Sequence, residues 1–195
     1  MSRALDRLLA EIRACRLCAA HLPLGPRPTL QAGAGARLLI VGQAPGTRVH
    51  ASGVPFDDAS GDRLRDWLGL DRATFYDRDR VALVPTGFCY PGKGRGGDLP
   101  PRPECAPAWQ AKVRRHLPRI ALTLLVGRYA QAHHLGARGR PTLAATAAAY
   151  EEYLPEYWPV PHPSPRNRLW LRRHAWFEGE VVPALRATTR ALLAS

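Results

Sequence analysis

Lysine is almost missing from this chain. Of its 28 lysines and arginines only Lys93 and Lys112 are lysine, so arginine carries nearly all the positive charge. Acids are scarce as well, 16 against those 28, and the formal net charge is +12 over 195 residues. Guanidinium forks match phosphate oxygens bidentately, which favours a polyanionic partner, most simply nucleic acid. A general bias toward arginine would give the same totals. Long apolar runs are absent, because Arg, Pro or Gly interrupts every hydrophobic stretch, and this excludes a membrane-spanning helix. The first residues, MSRALDRLLAEIRAC, lack the apolar block and cleavage site of a signal peptide. A cytoplasmic protein with no membrane partner is expected. Cysteine is down to four, Cys15, Cys18, Cys89 and Cys105. In a cytosolic chain that usage argues against structural disulfides, and the C-x-x-C pair Cys15–Cys18 points to metal or redox chemistry. No internal repeat or domain boundary is visible, so residues 1–195 read as one domain, with a hydrophobic content of 46% to fill its core.

What is present is a set of short aliphatic runs separated by glycine and proline. Arg37 to Gly46, RLLIVGQAPG, reads as a buried strand Leu38–Val41 that opens at Gly42 into a tight turn. Val81 to Pro85 and Ile120 to Val126 repeat that pattern. Trp158 to Pro161 is a short final strand, confined by its prolines to an edge or an end. Helical spacing is found over Ser2–Ala14, Ser60–Leu70, Ala106–Leu117, Gly127–Leu135, Leu143–Tyr153 and Trp176–Leu193, and Asp71–Arg80 reads as a charged helix-loop. His21–Gly35, Thr47–Asp58 and Thr86–Pro103 read as loops. Alternating strands and helices predict an α/β fold, a three-layer α/β/α sandwich around a central four-stranded, mainly parallel sheet. Ligands in such folds bind beyond the carboxyl ends of the strands, so Gln43 to Gly46 is the first place to expect a site, against a plain strand-to-loop turn.

Three segments at those strand ends, GQAPG (Gly42–Gly46), GVPFDDASGDRL (Gly53–Leu64) and HPSPRN (His162–Asn167), resemble the signature segments of the uracil-DNA glycosylase superfamily. Their order and spacing agree with it across roughly the whole chain. The resemblance implies a monomeric DNA glycosylase acting on DNA that contains a damaged base. Such an enzyme extrudes a deaminated base, most simply uracil, and hydrolyses its N-glycosidic bond in base excision repair. It further implies that His162 donates a hydrogen bond to the departing base, for which a neutral imidazole suffices. Phe56 would stack on the base, with Gly42, Gln43, Ala44, Pro45 and His50 around it. Core packing is the rival role for Phe56, and loop placement for His50. Ser164, Arg166, Asn167 and Arg168 would hold DNA, with Arg166 as a wedge and Arg172 and Arg173 close behind. Lys93 and Arg95 extend the basic track.

The closest branch is the iron–sulfur one. There a C-x-x-C after an N-terminal helix is completed by two cysteines about fifteen residues apart, and fifteen residues lie between Cys89 and Cys105. The resemblance therefore implies a [4Fe–4S] cluster on Cys15, Cys18, Cys89 and Cys105, with zinc or no metal as alternatives. Departures fall inside the motifs. Ala44 stands where the best-known members carry a water-activating aspartate. Asp58, in a DASG segment, is assigned that role instead, against a helix N-cap. Gln43 replaces a glutamate, and Val84 replaces a base-reading asparagine, which leaves the preferred base open. The rivals to an enzyme are a weak or inactive nucleic-acid-binding protein on the same fold and, more distantly, a small iron–sulfur redox module.

Overall fold

The computed structural model describes residues 3–194. Four strands form one parallel sheet: β1 (Leu38–Val41), β2 (Val81–Leu83), β5 (Leu122–Val126) and β6 (Tyr157–Val160), in the order β2-β1-β5-β6. A two-residue hairpin, β3 (Lys93–Gly94) with β4 (Gly97–Asp98), stands apart. The helices are α1 (Arg3–Arg13), α2 (Thr47–Ser52), α3 (Ala59–Leu68), α4 (Arg72–Tyr76), α5 (Cys105–Arg115), α6 (Arg128–Leu135), α7 (Leu143–Ala148), α8 (Arg168–Arg173) and α9 (Val182–Ala194).

Successive side chains of a strand point to opposite faces, and the core divides accordingly. Leu39 and Val41 pack with Leu5, Leu9 and Val113 of α1 and α5. Leu38 and Ile40 pack with Leu64, Trp67 and Leu185 of α3 and α9. The three-layer arrangement expected from the sequence is present, and each such fully buried side chain contributes about 1.5–3 kcal/mol. β6 is an edge strand, which accommodates Pro159. The opposite edge, β2, is covered by the extended 21–35 segment: Gln31 and Leu83 exchange backbone hydrogen bonds at 2.9 and 2.8 Å.

Several boundaries differ from the sequence expectation. Thr47–Asp58 is not wholly loop, because Thr47–Ser52 forms α2, closed by Gly53 at φ 72°. Thr86–Pro103 contains the β3–β4 hairpin. Leu143–Tyr153 is α7 followed by a 3₁₀ turn, Tyr150–Tyr153, where Tyr150 stacks on Trp158 with ring centroids 4.4 Å apart. The closing helix starts with a π turn, Phe177–Val181, and α8 precedes it unforeseen. β2 and β5 are shorter than their aliphatic runs: Val84 and Pro85 continue β2 as buried loop, whereas Ile120 and Ala121 precede β5 half-buried and exposed.

Candidate functional site

All four carboxyl ends of the sheet open on one cavity of about 720 Å³, contributed to by Gly42, Pro85, Gly127 and His162. The β1 turn is fastened to the β2 turn. Thr86 donates to the Gly42 carbonyl from its backbone N and its Oγ1, each at 2.8 Å, and Gly87 N donates to the Gln43 carbonyl at 2.8 Å. Gln43, Ala44 and Pro45 line the cavity directly above.

Phe56 lies across this turn. A Cβ on Gly42 would sit 3.0 Å from Phe56 Cζ, so glycine is what lets the tip of the ring approach the strand end. The edge of Phe56 meets Phe75 in a T-shaped contact, centroids 6.2 Å apart. Its backbone is at φ 55°, a left-handed conformation unusual for a bulky residue. This half-buried ring packs against the core and also lines the cavity. Asp58, two residues on, caps α3: its Oδ1 accepts from Gly61 N at 2.9 Å. It also lines the cavity.

His162 enters from the β6 end and rests on Gly127, where a Cβ would lie 3.2 Å from its own. Asn167 Nδ2 donates to the His162 carbonyl at 2.7 Å and so braces the turn. Burial holds the imidazole below its usual pKa, with the Asp58 charge opposing. A neutral imidazole still donates one hydrogen bond through its single ring N–H. Ser164 Oγ accepts from Arg166 N at 3.2 Å, closing a tight turn, and Arg63 Nη1 donates to the Ser164 carbonyl at 3.4 Å.

Two expected residues lie elsewhere. His50 is not on the cavity wall; its ring is 6.3 Å from Tyr90 and its buried Nδ1 has no hydrogen-bond partner among the described residues. Burial and then Arg27 lower its pKa. Arg168 lines a neighbouring depression with Arg63 and Arg172. Val84 is buried in the core and off the cavity wall. Arg166 folds back over the hairpin, its Nη1 seated on Gly97 where a Cβ would be only 2.5 Å away. Sequence reading missed Tyr90, Asp98 and Arg128, which also line the cavity. The signal for Asp98 was the glycine-rich GKGRGGD, a hairpin turn with its side chains at the rim.

The four cysteines meet at a second, small apolar cavity that also includes Phe88 and Trp109. All four are free thiols. Burial pushes Cys89 up to about 11 and Cys105 up to about 12, and raises Cys18. Phe88 N donates to Cys105 Sγ at 3.3 Å. Among the described residues no three His, Cys, Asp or Glu side chains stand at coordinating positions. The convergence of four thiols in an apolar shell is still the donor set a thiophilic centre requires. No described helix is long and apolar enough to cross a membrane.

Residues 31–186 match the family model described as the uracil DNA glycosylase superfamily. That span holds the whole sheet and the three motif segments, while Cys15 and Cys18 precede it.

Proposed function

The chain belongs to the uracil-DNA glycosylase superfamily of N-glycosyl hydrolases, and from that premise we propose that it removes a deaminated base, most simply uracil, from DNA. One observation carries the reading: loops distant in sequence bring Gly42, Phe56, Asp58 and His162 to a single cavity at the carboxyl edge of the sheet. A base within a duplex is inaccessible at its glycosidic bond, so the target nucleotide swings out and enters base first. The Phe56 ring stacks its face. As the C1′–N bond breaks, negative charge gathers on the base and positive charge on the sugar. His162, neutral and braced by Asn167 and Gly127, donates to the base oxygen that gains charge. Asp58 holds the attacking water and accepts its proton as the new C1′–O bond forms. Ser164, Arg166 and Asn167 steady the backbone beside the cavity, and Arg168 continues the basic track.

Cys15, Cys18, Cys89 and Cys105 are the residues that would hold a [4Fe–4S] cluster, which would join α1 to the loop before α5 rather than enter the reaction. Zinc is the alternative occupant of the same thiols.

The test is release of free base from a panel of oligonucleotides carrying uracil, hypoxanthine or xanthine, paired and unpaired. Release from at least one is expected, and His162→Ala should slow it by roughly 10²-fold, as loss of one transition-state donor does. Unchanged release in that variant would remove His162 from the mechanism. Salt-dependent DNA binding without release from any member of the panel would favour the non-catalytic reading, which the buried Val84 supports.

A further inference from the structure

We propose that Asp98 is a second catalytic carboxylate, facing the deoxyribose of the extruded nucleotide and stabilising the positive charge that develops there; this rests on the glycosylase reading of the cavity. Asp58 and Asp98 are the two acids on the cavity wall among the described residues. They differ in depth and in commitment. Asp58 spends Oδ1 on the α3 cap, and its charge acts on His162. Asp98 is exposed at the rim, whereas Gly42 is buried and His162 and Phe56 are half-buried below it. Because the nucleotide enters base first, its sugar comes to rest at the level of the rim.

The carboxylate of Asp98 is unengaged. Lys93 lies directly across the hairpin in register. Yet no side-chain hydrogen bond or ion pair to Asp98 is formed among the described residues. Two neighbours lie close to it. Oδ2 hangs over the β1 turn, where a Cβ on Gly46 would be 3.5 Å away. The Arg166 guanidinium rests on the adjacent Gly97. Leu99 closes the base of the hairpin, its N donating to the Gly92 carbonyl at 2.8 Å. Its charge is felt inside the cavity, where it adds to burial in raising the Tyr90 hydroxyl.

The surrounding rim is cationic, with Arg48, Lys93, Arg128 and Arg166. A carboxylate in that rim repels DNA phosphates in the ground state and attracts the sugar only once it turns cationic. Those opposite signs are what differential transition-state binding means, and they make the role measurable.

The experiment compares duplexes carrying a neutral tetrahydrofuran abasic analogue or a cationic pyrrolidine one, bound to the full chain and to Asp98→Asn. The unaltered protein should prefer the cationic analogue by about tenfold or more. Asp98→Asn should lose that preference while binding the neutral duplex as tightly or more tightly, and single-turnover base release should slow by roughly 10²-fold. Asp98→Glu should recover part of the preference. A preference that survives in Asp98→Asn, or an equal weakening toward both analogues, would overturn the assignment, the latter reporting a collapsed hairpin. Failure of the unaltered protein to release any base would sink the glycosylase reading and the catalytic role of Asp98 with it, whereas base release without the analogue preference would sink the Asp98 assignment alone.

Discussion

Phe56 holds a left-handed backbone that its own side chain disfavours, and two glycines make room for it. A Cβ at Gly61 would lie 1.7 Å from the Phe56 carbonyl oxygen, a contact with backbone that cannot swing aside. Gly61→Ala is therefore expected to cost at least about 1–3 kcal/mol in chemical denaturation and to displace the stacking ring, abolishing base release. Gly42→Ala meets only the ring tip, at 3.0 Å. It should leave stability closer to the starting value and still impair release, because the ring must tilt off the strand end. His162 supplies a pH signature. Burial lowers its pKa, and the Asp58 charge partly opposes the shift. The donating neutral form thus persists as pH falls through the ordinary histidine range, and the acid limb of the pH–rate profile should lie below pH 6.5. Asp58→Asn removes the opposing charge, so beyond slowing the reaction it should move that limb to still lower pH. A limb that moves upward would contradict the pairing. His134, away from the site, has its pKa lowered to about 4 from 6.5 by burial and then by His133. Between those values the unfolded chain binds more protons than the folded one, so stability falls as pH drops from 6.5 toward 4. His134→Gln should flatten that slope in denaturation curves taken across the window.

The elements that were legible in the sequence are those whose sequence pattern reflects burial. β1, β2 and β5 are aliphatic on both faces because helices cover both faces, and α1, α3 and α5 carry one apolar stripe because only one side meets the sheet. Convergence of the motif loops followed from parallel strands alone, since every strand ends at the same edge. The unreadable elements gain little from burial of their own residues. α2, TRVHAS, buries only Val49 and exists because Gly46 and Gly53 bound one short turn. β3 and β4 are two residues each, without a core-facing alternation, and of the cavity rim they supply Lys93 was expected on a basic track while Asp98 went unseen. His50 was misplaced for the same reason: a loop histidine can reach a site, but once the loop winds into a helix its direction is fixed. The hairpin belongs to the segment between Cys89 and Cys105, and α1 ends beside Cys15. A cluster on the four thiols would therefore tie the rim to the N-terminal helix. Protein purified without oxygen should be brown, with broad visible absorbance and bound iron and sulfide. Removing the iron, or replacing Cys89 and Cys105 by serine, should lower Tm and raise amide exchange across 86–104 and α1 together. Colourless, iron-free protein from an anaerobic preparation would exclude the cluster.

Across the whole molecule the excess of arginine sets how DNA is met. A net charge of +12 gives long-range attraction to any duplex, independent of the base it carries. The arginines near the site form two groups. Arg48, Arg128 and Arg166 stand on the cavity rim. Arg63, Arg168 and Arg172 surround the depression beside it, where Glu178 is the acid present and its Oε1 is taken by the Trp67 indole at 3.1 Å. α3 and α8 hold this second group to the rim through the Arg63 contact with the Ser164 carbonyl. Phosphates flanking the extruded nucleotide would thus pass from the rim onto the depression. Binding to undamaged duplex should weaken steeply with salt, and each arginine that meets a phosphate should contribute about 0.9 to the slope of log K against log salt. Arg168→Gln together with Arg172→Gln should reduce that slope by nearly two such increments and raise KM more than they lower kcat. Arg166→Gln should act on both constants, because its guanidinium also props the hairpin that presents the rim. An unaltered slope in the double variant would mean that DNA leaves the rim in another direction, with the depression a solvated face of α8.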